Sequence, residues 1–239
     1  MPEFELVTFN THYGRRPPSA HCVPYDLPAV LDGLATADVL SIQEVWRPDM
    51  DECAVEEFAT RHGYAMHEAV FARASVRRRW PGCHPDGEGT IGIAMLSRYP
   101  MRPVAGPVMG PTWRDPVPTR ELLRVELDVD GANLTMIGVH LTSKLPYGPP
   151  MQLRRLARQL TPVEGPAVVA GDCNFWGPSA QACLPGWRRA VRGRTWPAPH
   201  PHSQIDHVFV RGGVEAVDGE ILSDVGSDHR PVRVKLRVG

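Results

Sequence analysis

Six polar stations punctuate this chain, each where a strand-like apolar run ends: Asn10, Glu44, His140, Asp172 with Asn174, Asp206, and Asp228 with His229. Any one of them has an ordinary reading. Asp172 after Gly171 starts a turn, His140 is a satisfied core histidine, and Asn10 caps a strand. Recurring six times, the pattern points to chemistry. Carboxylates gathered at one sheet edge repel and raise each other's pKa. A hard divalent cation relieves that repulsion, and Mg²⁺ takes one or two carboxylates together with waters and substrate phosphate oxygens. Glu44 with an Asp and Asn10 suits such a site. The Asp-His dipeptide at 228–229 sets a metal or water ligand beside an imidazole, and a carboxylate from Asp206 can fix the ring of His229. Cysteine takes no evident part, which argues against zinc.

Short strands must position such a set. Phe4 to Phe9 alternates and reads as the first. Pro28 to Ala37 follows as a short helix, and Val39 to Ile42 as a buried strand ending at Glu44. Met50 to His62 carries Ala54, Val55, Phe58 and Ala59 at helical spacing, with Gly63 as its stop. Arg73 to Thr90 reads as a loop rich in Arg, Gly and Pro, and Ile91 to Leu96 as a strand. Leu122 to Val129 and Leu134 to Leu141 flank Asp130-Gly131, a hairpin turn signal. Gln152 to Leu160 is a helix with Leu153, Leu156 and Leu160 inward. Ala167 to Ala170, Ile205 to Val210 and Val232 to Val238 complete the strands. Many strands, few helices and several hairpins argue for a mixed sheet or a sandwich.

No linker, repeat or low-complexity block interrupts the 239 residues, so one α/β domain over 1–239 is expected. A net charge of -1 gives no global basic field to advertise a polyanionic partner. The cations are nonetheless almost all Arg, with only Lys144 and Lys235 as lysines, and Arg grips phosphate in a bidentate way. Five scattered cysteines without a C-x-x-C pair suit reduced thiols. The start Pro2-Glu3-Phe4-Glu5 does not read as a signal peptide, and no apolar run approaches a membrane span. A cytoplasmic monomer is the expectation.

Two motifs mislead. Gly87 to Gly92 matches G-x-G-x-x-G, but it precedes a strand where a dinucleotide site needs a following helix. His67-Glu68 lacks the second histidine of a zincin. Arg73, Arg77, Arg78 and Arg79 beside Trp80 form the most basic run, suited to a backbone-gripping loop or simply a solvated one. Trp46, Trp113, Trp176 and Trp196 lie near the polar stations, and Trp176 is the foremost candidate for lining a substrate cleft.

Taken in order, Thr8-Phe9-Asn10-Thr11-His12, Ile42-Gln43-Glu44-Val45-Trp46, Gly92 to Arg98, Gly138-Val139-His140-Leu141, Gly171-Asp172-Cys173-Asn174, Ile205-Asp206-His207-Val208 and Ser227-Asp228-His229-Arg230-Pro231 resemble the endonuclease/exonuclease/phosphatase superfamily. The resemblance runs the length of the chain. It implies a four-layered α/β sandwich of two packed mixed β-sheets flanked by helices, and metal-dependent hydrolysis of a phosphoester with Mg²⁺ or Mn²⁺. Metal ligation then falls to Asn10, Glu44 and Asp228. Asp172 and Asn174 orient the attacking water and contact phosphate, His140 and His229 hydrogen-bond phosphate oxygens or move the proton, and Asp206 orients His229. Cys173 stands where the family usually has Phe, a packing change. Some members place a further Glu or Tyr near the segment that Gly92 begins here, and Glu88 is the nearest candidate. The expected activity is a phosphodiesterase or nuclease acting on nucleic acid or nucleotides. A phosphomonoesterase, a lipid phosphodiesterase and an inactive binding module on the same fold are the alternatives.

Overall fold

Alternation along the strands sorts the molecule into layers. Phe4 and Leu6 face one core, while Val7 and Phe9 face another. Val168 and Ala170 divide from Ala167 and Val169 in the same way. The structure, a computed structural model, describes residues 1–16, 23–75, 87–112, 115, 117 and 119–239.

In chain order the strands begin β1 Glu3–Asn10, β2 Arg15–Arg16, β3 Val23–Pro24, β4 Val39–Pro48, β5 Ala65–Ser75 and β6 Glu88–Ser97. Next come β7 Met101–Val104, β8 Val108–Met109, β9 Arg120–Glu121, β10 Leu123–Val129 and β11 Ala132–His140. The last are β12 Ala167–Asp172, β13 Arg188–Arg189, β14 Asp206–Arg211, β15 Val214–Ile221 and β16 Val232–Val238. The helices are α1 Leu27–Gly33, α2 Ala54–His62, α3 Gly148–Gln159 and α4 Gly177–Cys183.

Two six-stranded mixed sheets result, ordered β15-β16-β1-β4-β6-β5 and β13-β14-β12-β11-β10-β7. Between them lies a core built from both, including Phe4, Leu6, Met95, Val125, Val168 and Val234. Leu31 of α1 and Phe58 of α2 cover the outer face of the first sheet, and Leu153 and Leu156 of α3 with Ala180 of α4 cover the second. The order of layers is helix, sheet, sheet, helix. This is the sandwich the motifs imply.

Several expected boundaries move. β4 does not stop at Glu44 but runs on to Pro48 across a register shift between Gln43 and Val45. The supposed loop from Arg73 to Thr90 is partly strand: β5 extends through Ser75 and β6 begins at Glu88, while residues 76–86, with Arg77, Arg78, Arg79 and Trp80, lie outside the described residues. Trp113 lies outside them as well. α1 ends at Gly33, four residues early, in a turn closed by Leu34 N–H on Leu31 O. α3 starts at Gly148, earlier than periodicity suggests, because Pro149 and Pro150 fit a first helical turn whose N–H groups have no partner anyway. α2 does end at Gly63, where φ is 71° and no Cβ opposes the left-handed turn.

Gly171 adopts φ 145°, and a Cβ there would lie 2.0 Å from the Val139 carbonyl oxygen on the neighbouring strand. Gly171→Ala is therefore expected to cost on the order of 3 kcal/mol of stability. Urea unfolding checks this, and an unchanged midpoint would show that the strand pair yields without cost.

Candidate active site

The inward positions of four strands meet at one end of the sandwich. In β1 they are Phe4, Leu6, Thr8 and Asn10; in β12, Val168, Ala170 and Asp172. β11 brings His140 and β14 brings Asp206 by the same even spacing. The apolar members form the core, and the terminal polar member of each series reaches the site. Pleat geometry alone thus converges four side chains.

Glu44 needs more. In β4, Val39, Ser41 and Gln43 face the opposite sheet while Leu40 and Ile42 face the helices. Strict alternation would put Glu44 under α1 and α2. Instead it occupies φ 53° in a bulge, and Val45 takes up the outward place in its stead. A bulge re-aims one side chain without sliding the strand. Positive φ recurs at His12, Tyr13 and Asn174, so four non-glycine residues at this end hold a conformation costing about 1 kcal/mol or more each. Such strain persists where surrounding contacts fix it.

Those contacts are dense. Asn10 Nδ2–H donates to Glu44 Oε1 at 3.3 Å and to Asp172 Oδ2 at 3.1 Å, joining the two sheets. Asp172 Oδ1 accepts from the Asn174 backbone N–H at 2.7 Å, and Asn174 Nδ2 also reaches the Leu141 carbonyl at 2.9 Å. His229 Nδ1 lies 2.9 Å and 3.0 Å from the two oxygens of Asp206. That pairing fixes Nδ1 as the donor and turns Nε2 toward Asp172 Oδ2, 3.9 Å away. His140 Nε2 lies 3.6 Å from Glu44 Oε1 and 3.8 Å from Asp172 Oδ2. Asp228 lies 3.9 Å from His229 Nε2 through Oδ1, while its Oδ2 accepts from Trp196 Nε1–H at 3.2 Å. All eight residues singled out in the sequence, from Asn10 to His229, therefore gather here.

Burial and charge pull the titrating groups apart. Burial, then Asp206, pushes Asp172 up to about 8. Burial likewise raises Glu44. Burial holds His140 well below the usual imidazole range, helped by Arg120 and His229, so it is neutral. Burial alone would depress His229 too, yet Asp206 and Asp228 outweigh it and hold the ring charged, well above the ordinary value. One neutral and one cationic imidazole thus face the same carboxylate.

The donor set fits a hard cation. Glu44 Oε2 is buried and has no hydrogen-bond partner, and the raised carboxylates are what an oxygen-rich site shows before a cation neutralises it. Asp172, Asp206 and His229 also present ligand atoms within 4.8 Å of one another. Asp206 and His229 are already bonded through Nδ1, so this trio is better described as a carboxylate–imidazole pair facing Asp172. Glu44, with Asn10 and Asp228 beside it, is the part left open for a metal.

Two neighbours escaped the sequence reading. His12 Nδ1 lies 3.0 Å from the Arg15 carbonyl and 3.6 Å from Asp228 Oδ1. Tyr13 is pushed well above the usual phenol range, first by burial and then by the charge of Glu44. Neither belongs to a periodic run, so the one signal was adjacency to Asn10. Glu88, in contrast, is exposed, lies 3.7 Å from Arg73 and does not line the cleft. Cys173 is fully buried against the α3 and α4 layer, and burial pushes its thiol up, out of reach of redox or nucleophilic use.

A cleft of about 660 Å³ opens over the site, walled by Phe71, Arg120, Lys144, Trp176, Trp196 and His202 among others. Converging carboxylates and paired imidazoles are laid out on the sandwich of a phosphoesterase fold. The sequence matches the Endonuclease/Exonuclease/phosphatase family over residues 7–229, and the chain belongs to it. Members of this family hydrolyse phosphoesters and typically depend on a divalent metal. Among solved structures, an endonuclease/exonuclease/phosphatase from Beutenbergia cavernae DSM 12333 is 23% identical with a TM-score of 0.75, covering 100% of this chain and 72% of that one. A humanized D. rerio TDP2 is 16% identical at TM-score 0.65, covering 99% of each chain. A mannosyl-6-phosphatase from Bacteroides thetaiotaomicron VPI-5482 is 14% identical at TM-score 0.66, covering 98% of this chain and 99% of that one. At these identities they share the fold. No curated protein matches the sequence.

Proposed function

We propose that the chain is a divalent-metal-dependent phosphodiesterase acting on nucleic acid or nucleotides. The observation that carries this reading is Asp172: its Oδ2 lies within 3.9 Å of the Nε2 atoms of both His140 and His229 on the floor of a cleft. A phosphoryl group seated there has an imidazole on each side of a carboxylate. Glu44, Asn10 and Asp228 would hold Mg²⁺ or Mn²⁺, which supplies Lewis acidity toward phosphate oxygens and the leaving group.

The chain's own groups supply the rest. Asp172, fixed by Asn174 and Asn10, orients water and, in its ionised form, accepts its proton. His140, neutral, donates one hydrogen bond to a phosphate oxygen. His229, cationic and locked by Asp206, stabilises charge growing on the oxygens. Phosphodiester and water give a phosphomonoester and an alcohol. Cleft walls come from β5, with Phe71, and from the segments of Trp176 and His202 in the other sheet's layer. Room on both sides of the floor favours a diester with two substituents over a small monoester.

Removing metal with EDTA is expected to abolish hydrolysis of bis(p-nitrophenyl) phosphate, and Mg²⁺ or Mn²⁺ to restore it. Undiminished activity in EDTA would defeat the mechanism. A panel of plasmid DNA, abasic DNA, RNA, inositol phosphates and sphingomyelin at fixed salt separates the substrate classes.

A further inference from the structure

Trp176 is the large aromatic that the catalytic set leaves unexplained. Its side chain is 48% exposed and lines the cleft two residues after Asn174. An indole left half in water forgoes hydrophobic stabilisation that burial would give. Its mounting, by contrast, is rigid. The Trp176 carbonyl accepts from Ala180 N–H at 2.7 Å, and the preceding Phe175 carbonyl accepts from His207 Nε2–H at 2.9 Å. Burial holds that histidine neutral, with a pKa pushed down to about 4. On the other flank the Arg189 guanidinium packs so closely on Gly177 that a Cβ there would lie 1.6 Å from Nη1. The indole leans on the Phe175 ring, centroids 5.5 Å apart and tilted by 35°, and leaves its exposed half to the cleft, which is the arrangement of a stacking platform.

Chemistry around the ring selects what stacks. Arg120 and Lys144 bring positive charge to the same cleft. Asn174, His202 and Ser203 share the cleft wall and present hydrogen-bonding groups. Covering these with acyl chains would strand them at a cost of roughly 1–3 kcal/mol each. An anionic ligand with a flat ring and polar edges satisfies all of them. Resting on the phosphodiesterase reading above, we infer that Trp176 is a specificity-determining residue that stacks an unpaired nucleobase next to the scissile phosphate, making single-stranded nucleic acid the substrate class.

The test uses full-length protein carrying His229→Ala with Mg²⁺ present, so that the ligand survives. Fluorescence anisotropy compares an oligothymidylate with a chain of the same length whose residues are baseless tetrahydrofuran. The protein with Trp176 intact is expected to prefer the thymidylate. Trp176→Ala should weaken thymidylate binding on the order of tenfold, the scale of one lost base stack, and erase that preference. Trp176→Phe should keep most of it. Equal weakening on both chains, no weakening, or Trp176-dependent binding to vesicles of phosphatidylcholine and phosphatidylserine would overturn the assignment. Base preference is measured without turnover. Wild-type protein that hydrolyses bis(p-nitrophenyl) phosphate, with no base preference in the His229→Ala protein that keeps Trp176, removes the platform alone, while absent wild-type hydrolysis with the preference intact removes the phosphodiesterase reading alone.

Discussion

Asp172→Asn should lower turnover on bis(p-nitrophenyl) phosphate by about 10²- to 10⁴-fold, the range for a lost acid–base group. The asparagine keeps an oxygen for the Asn174 N–H, so the loop stays, while its amide nitrogen replaces the Oδ2 that accepts from the Asn10 and Asn174 side chains. The same substitution should change how stability depends on pH in EDTA. With its pKa pushed up to about 8 from an ordinary value near 4, the folded protein holds a proton that the unfolded chain has released. Stability therefore falls as pH rises through that window. His229 acts in the same direction, because the stability its raised pKa gives is complete below about 6.5 and is lost as pH climbs through the folded value. The depressed imidazoles His140 and His207 cost stability only below about 6.5, where the unfolded chain takes up the proton first, so they are silent above it. Between pH 6.5 and 8 the metal-free melting temperature should thus decline, and Asp172→Asn should flatten the decline. A slope unchanged by the substitution would mean that Asp172 is already ionised in the folded protein. Near-native turnover would remove it from the catalytic set.

His229→Ala is expected to reduce turnover by a similar 10²- to 10⁴-fold. Asp206→Asn should cost less, because it leaves the ring in place and loses its orientation and charge partner. If the two act as one unit, the double variant should be hardly worse than His229→Ala. A fully additive loss would show that Asp206 works independently, as a metal ligand would. The cycle therefore tests the carboxylate–imidazole pair against a three-ligand cluster of Asp172, Asp206 and His229.

Much of this was legible in the residues because pleating is so regular. Asn10, His140, Asp172 and Asp206 continue the inward series of their strands, so the sequence pattern and the spatial convergence are one fact. What stayed hidden has physical reasons. β5 and β15 are the two ends of their sheet, and β15 is exposed from Glu215 to Glu220, so no buried face imposes alternation there. The bulge at Glu44 shows only as a place where alternation should have failed and the core nonetheless continued. His12 and Tyr13 depend on backbone strain, which composition does not record. The roles carried over from the family resemblance are another matter, since gathering residues in one place leaves the division of labour among them to the experiments above.

The Asn10–Asp172 hydrogen bond spans the seam between the two sheets, as does the bond from Ser41 Oγ–H to the Ala170 carbonyl at 3.2 Å. Asn10, Glu44, Asp228 and His229 come from one sheet's side, and His140, Asp172 and Asp206 from the other. Neither half carries a working set. On the proposed mechanism, catalysis is consequently a coincidence detector for docking: turnover requires both sheets in register. In denaturant, activity should vanish at sub-global opening of the seam, before far-ultraviolet circular dichroism reports loss of either sheet. On the same reading, a folding chain gains its full set only once β16 has closed beside β1 and drawn Asp228 and His229 into place.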